Sequence, residues 1–184
     1  MSQLLFLPKG KGRLVALCSD HSLHLLQISH KLEALGVKLL LSSGHFAVHG
    51  EEDASAEGSS SAAAAAAAAA NSHNATVTTM TINGAGNVLF VGTKAGDVHL
   101  LDVATLKPRS SGGGGLISQT ALLKCSGVPA ELKKPGSVEA VEECPTGKLL
   151  LIGYNRSLIA LWDYERQTLV KHFIIEQVNN CGFL

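Results

Sequence analysis

VLFVGTKAGDVHLLD, residues 88–102, decides the fold. Two apolar runs flank a polar turn carrying Gly96, and the second run ends on Asp102. The same layout returns without gaps in RLVALCSDHSLHLLQ, residues 13–27, and in LLLIGYNRSLIALWD, residues 149–163. Short β-prone runs bracketing such a turn read as a β-hairpin. Both arms of each copy are almost continuously apolar, which predicts strands covered on both faces. A helix competes for any one copy, but turn residues falling at the same place in all three disfavour it.

The flanks of each hairpin supply outer strands. Residues 4–7, 77–82 and 138–142 precede the three copies, each followed by a turn at Pro8-Lys9-Gly10, Asn83-Gly84-Ala85-Gly86 or Pro145-Thr146-Gly147. Residues 37–41, a weaker segment near 116–123, and residues 169–175 follow them. Four antiparallel strands per unit predict an all-β fold, a partial WD-repeat β-propeller of about three blades. Such a blade repeats every ~40 residues. The copies start 75 and 61 residues apart, so the excess falls in insertions. The expected organisation is a first blade over 1–49, a low-complexity disordered insertion over 50–75, and a second blade over 76–137 holding a Gly-rich insertion. A third blade over 138–178 and the start of a truncated next blade over 179–184 complete it. The first insertion opens on Glu51-Glu52-Asp53 and contains nine consecutive alanines, 62–70, too short for a stable isolated helix. The second carries four glycines, 112–115.

Lys+Arg and Asp+Glu number 15 each, and no basic cluster exceeds Lys133-Lys134. No net field therefore steers nucleic acid or an anionic membrane. Cys18, Cys125, Cys144 and Cys181 form no Cys-x-x-Cys pair and read as reduced, partly buried thiols. No apolar run reaches the ~20 residues of a membrane span, and residues 4–7 are too short for a signal core. The sequons at Asn74 and Asn155 then carry no meaning. A soluble, intracellular chain is expected.

The eight histidines and the turns are the places where chemistry could sit. His21 and His24 lie three apart, on opposite faces if on a strand, without an acid or thiol completing a ligand set. His45 and His49 have helical spacing but run into the low-complexity segment. His24 and His99 occupy the same place in the repeat and suggest a shared packing role. No nucleophile elbow frames any serine, and the Cys144 thiol has no cationic neighbour in sequence. Residues 83–86 and 145–148 lead into strands, whereas a phosphate loop requires a helix N-terminus. No catalytic, cofactor-binding or metal-binding residue is assigned, no cofactor or small-molecule ligand is expected, and the chain reads as a non-enzyme.

Residues 4–28, 87–103 and 147–163, in that order, resemble the early blades of the lethal giant larvae family. The stretch Pro135-Gly136-Ser137-Val138-Glu139 leading to 150–156 is similar to the lethal giant larvae branch more than to the tomosyn branch. Leu25-Leu26-Gln27 and Leu100-Leu101-Asp102 depart from the usual Leu-Trp-acid ending, which only Leu161-Trp162-Asp163 keeps. The polyalanine insertion is not a family feature. The resemblance implies a scaffold of cell polarity and regulated exocytosis that binds myosin II, a polarity kinase complex and syntaxin-type SNAREs. It implies a cytoplasmic protein, cortical at the plasma membrane in full-length form, with no nucleic-acid partner and no transmembrane segment. A generic WD-repeat adaptor of a ubiquitin-ligase or vesicle-trafficking complex is the alternative. Three blades are too few to close a ring, so the chain is expected to be a fragment that associates or aggregates through its open ends.

Overall fold

The computed structural model describes residues 3–8, 12–31, 34–45, 76–109, 115–123 and 134–175. The alanine-rich insertion at 50–75, most of the glycine run, and residues 179–184 lie outside the described residues. Twelve strands occur in chain order among those described: β1 Gln3–Phe6, β2 Arg13–Leu17, β3 Ser22–Lys31, β4 Ala34–His45, β5 Val77–Ile82 and β6 Val88–Thr93. There follow β7 Val98–Asp102, β8 Leu116–Ile117, β9 Val138–Glu143, β10 Leu149–Tyr154, β11 Leu158–Asp163 and β12 Thr168–Ile174. They form three four-stranded sheets, β1-β2-β3-β4, β5-β6-β7-β8 and β9-β10-β11-β12, each strand beside its neighbour in sequence. All pairings are antiparallel. Each sheet is one blade of a partial β-propeller.

The central hairpins fall where the repeat places them, with Leu89 opposite Leu101, Leu14 opposite Leu26 and Leu150 opposite Trp162. Their turns share one backbone device. His21, Gly96 and Ser157 stand at the same repeat position, and all three have positive φ: 63°, 91° and 58°. Such a turn matches the twist of the strands it joins, and glycine enters it without strain.

Two outer strands differ from the sequence reading. In the second blade only Leu116–Ile117 is strand, and Thr120–Leu123 forms a helical turn, α1. The cause is local competition for the backbone. Ser118 Oγ accepts from Thr120 N–H, and Ala121 N–H reaches back to Ser118 C=O. In the first blade β3 and β4 run past residues 27 and 41, pairing from Ser22 opposite His45 to Lys31 opposite Ala34.

Residues opposite one another across a sheet share a face, so each blade has two faces. In the second blade Leu89, Val91 and Leu101 pack with Val15, Leu17, Leu23 and Leu25 of the first. The alternate residues Val88, Phe90, Val98 and Leu100 pack with Leu150, Ile152, Ala160 and Trp162 of the third. The blades therefore stack in order, each sending one face forward and the other back. Gly92 lies at a close approach of the second and third blades. A Cβ there would come 2.6 Å from Val138 Cγ1 and 2.8 Å from Thr79 Cγ2. Its repeat equivalent in the third blade, Gly153, would meet Ala140 Cβ at an ordinary 3.6 Å.

Gly92→Ala should cost about 1–3 kcal/mol by overpacking, whereas Gly153→Ala should be tolerated; equal losses in paired denaturation curves would refute the stacking asymmetry. Trp162 is fully buried between blades, so Trp162→Ala should cost about 3–5 kcal/mol. A measured loss below about 1 kcal/mol would mean the side chain is not a core anchor.

Candidate functional site

The polar residues divide between the two ends of the strands. At the end carrying the β5–β6 and β9–β10 turns, aspartates at equivalent places close the following turn. Asp102 Oδ1 accepts from Ala104 and Thr105 N–H at 2.8 and 3.1 Å. Asp163 Oδ1 does the same for Glu165 and Arg166 at 3.1 and 2.9 Å. The acid ending the second and third copies is thus a turn-former. In the first blade Gln27 stands there and instead accepts from Arg13 Nε. Asn83 folds its own turn by accepting from Asn87 and Val88 N–H, both at 2.9 Å.

Glu143 and Tyr164 join the second and third blades at this end. Glu143 Oε2 accepts from Gly84 N–H at 2.7 Å, and Oε1 accepts from the Tyr164 hydroxyl at 2.8 Å. That hydroxyl also lies 2.7 Å from Gly147 C=O, and the ring meets Phe90 edge-on at 5.1 Å. Burial, followed by the hydrogen bond and charge of Glu143, pushes the Tyr164 phenol up. The same positions of the second blade hold Ile82 and Val103, which pack in the apolar core toward the first blade. The two junctions thus solve one contact differently.

At the opposite end Asp97 holds the β6–β7 turn against the chain leading to the third blade. Its Oδ1 accepts from Ser118 Oγ at 3.1 Å and from Gln119 N–H at 2.8 Å. His99, two residues on, is buried. Burial lowers its pKa, and the Asp97 charge opposes that shift without cancelling it. The Tyr154 phenol is raised by burial and then by Asp97. Its hydroxyl and Trp162 Nε1 are buried without a hydrogen-bond partner among the described residues. His24, at the equivalent of His99, is only half-buried and lies 2.8 Å from Ser22 Oγ. The two histidines share a position but not an environment.

Sequence reasoning missed one cluster. Ser22 Oγ donates to Asp20 Oδ1 at 2.7 Å, so an acid is tied to His24 through a serine. The order of the three groups decides what they can do. A base that activates serine must receive the hydroxyl proton, with the acid behind the histidine. Here the serine hydroxyl donates its hydrogen to the acid, so the histidine can meet the same oxygen only as a donor. The cluster closes the β2–β3 turn, where Asp20 also accepts from Ser22 N–H at 3.0 Å. Its signal in sequence is the Asp-x-Ser spacing of a side-chain turn. Cys18 and Cys144 are half-buried free thiols, and Cys125, Cys181 and His49 lie outside the described residues. No group of three or more metal-binding side chains occurs among the described residues, nor does a helix long and apolar enough to cross a membrane.

Tyr164→Phe should destabilise the chain by about 1–2 kcal/mol, one hydrogen bond to a carboxylate; an unchanged denaturation midpoint would show the tie is not formed. His99 predicts a pH dependence. Its folded pKa lies below 6.5, so the unfolded chain takes up the proton first. The stability from holding it neutral is present above pH 6.5 and falls away as pH drops toward the folded pKa. Thermal melts should weaken over that window, and His99→Asn should flatten the dependence. An identical slope in the variant would show that other groups govern it.

No family model matches the chain. Among solved structures it is similar to the C-terminal WD40 domain of Sif2, with a TM-score of 0.57 and 11% identity over 95% of this chain and 37% of that one. The β-propeller domain of Myceliophteria thermophila Cps50 (Swd1) gives 0.53 and 14% over 98% and 42%. Both support the propeller fold. In sequence the chain is 31% identical over 181 residues to Lethal(2) giant larvae protein homolog 1 of Mus musculus, covering 96% of this chain. It is 28% identical over 179 residues to LLGL scribble cell polarity complex component 2 of the same organism. Lethal(2) giant larvae protein of Drosophila melanogaster matches over 99 residues at 27%. The chain spans about 15% of the length of the two mouse relatives. Repeat pattern, blade stacking and the comparisons agree: the chain has the fold of a partial WD-repeat propeller and is similar along nearly all its length to the lethal giant larvae proteins.

Proposed function

We propose that this chain is part of a non-enzymatic protein-binding scaffold of cell polarity and regulated exocytosis, working in the cytoplasm at the cell cortex. The observation that carries the reading is the 31% identity to a lethal giant larvae homologue over 96% of the chain. The engagement of the acids supports it. Asp97, Asp102, Glu143 and Asp163 each accept from backbone amides or hydroxyls within the stack. Recognition then falls to the turns at the two ends, through shape and exposed charge, without turnover. Non-muscle myosin II, a polarity kinase complex and plasma-membrane SNAREs are the proposed partners of the whole protein.

The test uses a chain of the relatives' full length, measured against purified non-muscle myosin II, the polarity kinase complex and a syntaxin-type SNARE. At least one should bind, and charge reversal at one end should weaken it roughly tenfold, about 1.4 kcal/mol. Lys107→Glu with Arg166→Glu probes one end, and Lys94→Glu with Arg156→Glu probes the other. Binding by none of the three would reject the polarity reading. Binding untouched by both pairs would place recognition outside these blades.

A further inference from the structure

We infer that Asn83-Gly84 is a deamidation site and that Glu143, reaching across from the third blade, is the lock that keeps it closed. The inference goes beyond the scaffold reading and rests on the junction between the second and third blades. Asn83-Gly84 is the one Asn-Gly pair in the chain. Glycine after asparagine leaves the following backbone nitrogen unhindered, because no Cβ shields it. At the equivalent turn of the third blade, closed by the same backbone hydrogen bonds, Cys144-Pro145 offers no carboxamide and no following N–H.

The reaction needs only water. The Gly84 nitrogen bonds to Asn83 Cγ and gives up its proton, the Cγ–Nδ2 bond breaks, and Nδ2 leaves with that proton as ammonia. Water then opens the cyclic imide at either carbonyl, leaving aspartate or isoaspartate at position 83. No group is oxidised or reduced. The electrophile is already prepared. Asn83 is buried, and its Oδ1 accepts from Asn87 and Val88 N–H, both at 2.9 Å. Those donors face the oxygen on which the tetrahedral adduct gathers negative charge. Nδ2, the leaving nitrogen, donates to Asn87 Oδ1 at 2.8 Å.

The nucleophile is what the fold withholds. Gly84 N–H donates to Glu143 Oε2 at 2.7 Å, and Glu143 is itself held by the Tyr164 hydroxyl at 2.8 Å on Oε1. While that bond stands the Gly84 N–H points at the third blade, and turning the nitrogen onto Asn83 Cγ breaks it. A carboxylate is far too weak a base to take an amide proton. It also opposes loss of that proton to solvent, since an amide anion would then stand within hydrogen-bond distance of a like charge. Separating the two blades frees the nitrogen and leaves the carboxamide where it was. Conversion then changes the β5–β6 turn permanently. Isoaspartate inserts a methylene into the main chain, and either product replaces the donor that Asn87 Oδ1 receives with a carboxylate oxygen.

Site-resolved mass spectrometry of the chain incubated at neutral pH measures aspartate and isoaspartate at position 83. Glu143→Ala should raise the rate of conversion roughly tenfold, the scale of one hydrogen bond to a charged group. Glu143→Ile should do the same with the junction still packed, since Ile82 fills the equivalent place in the second blade. Glu143→Gln keeps an acceptor for Gly84 N–H and should recover most of the protection. Gly92→Ala strains the same junction without touching Glu143, and its rate should stay close to the parent's. In urea the parent and all four variants should convert at one rate, faster than the folded parent. Circular dichroism establishes which variants are folded. A folded Glu143→Ala or Glu143→Ile that converts no faster than the parent would overturn the proposal. So would a folded parent as fast as the parent in urea, or a difference between parent and variants that persists in urea. Gly92→Ala as fast as Glu143→Ala would overturn it too, by showing that the rate reports opening of the junction and not the carboxylate.

Discussion

Everything in this structure depends on strands that are apolar on both faces. A two-layer sandwich needs one apolar face per sheet and shows polar residues at alternate positions. Here β6 is buried at every position from Val88 to Thr93, because alternate side chains serve two neighbours. Val88 and Phe90 face the third blade, and Leu89 and Val91 face the first. A sheet of this kind cannot be stable alone, and stacking is the arrangement that covers it. The order of blades in space then follows the order in sequence.

Within that constraint the two junctions carry different chemistry. The first-to-second junction is closed by Ile82 and Val103, whose contribution is apolar burial without preferred direction. The second-to-third junction puts Glu143 and Tyr164 in the same places, bonded to Gly84 and Gly147. Directional bonds fix register where apolar contact alone tolerates sliding. Further polar ties cross between the inner strands. Gln3 donates to Met80 C=O and accepts from Met80 N–H, both at 3.1 Å, imitating one rung of a β-ladder across blades. Thr78 Oγ1 donates to Val138 C=O across the next gap.

What could be read in the sequence was whatever depends on period and on local turns. The three hairpins, the inner strands and the closing turns follow from apolar runs and from Gly, Asn and Asp at fixed places. The similarity to lethal giant larvae proteins was legible too, from residues 4–28, 87–103 and 147–163. Contacts set by the stack were not legible. That Gly92 must lack a Cβ depends on Val138, 46 residues away. That Glu143 bonds Tyr164 depends on a register that alternation does not specify. The Asp20, Ser22 and His24 cluster lay within one pentapeptide, but its meaning needed the direction of one proton. The short β8 escaped because Ser118 diverts the backbone into a helical turn, a competition that an apolar count over 116–123 does not see.

The paired histidines show how position and environment separate. His24 and His99 stand opposite Ala16 and Val91, which are themselves equivalent. Each sits on the backward face of its blade. The second blade has a predecessor, so His99 is buried and held neutral by desolvation. No blade covers the first from behind among the described residues, and His24 turns to Ser22 at the edge of its own turn. The repeat thus fixes where a side chain points, and the neighbouring blade fixes what it becomes. By the same logic Phe6 and Ile82 pair with equivalent leucines, Leu14 and Leu89, yet Phe6 is 65% exposed while Ile82 packs toward the first blade. A blade's chemistry is completed by the next blade, so a residue in such a stack acquires its role only from the face laid against it.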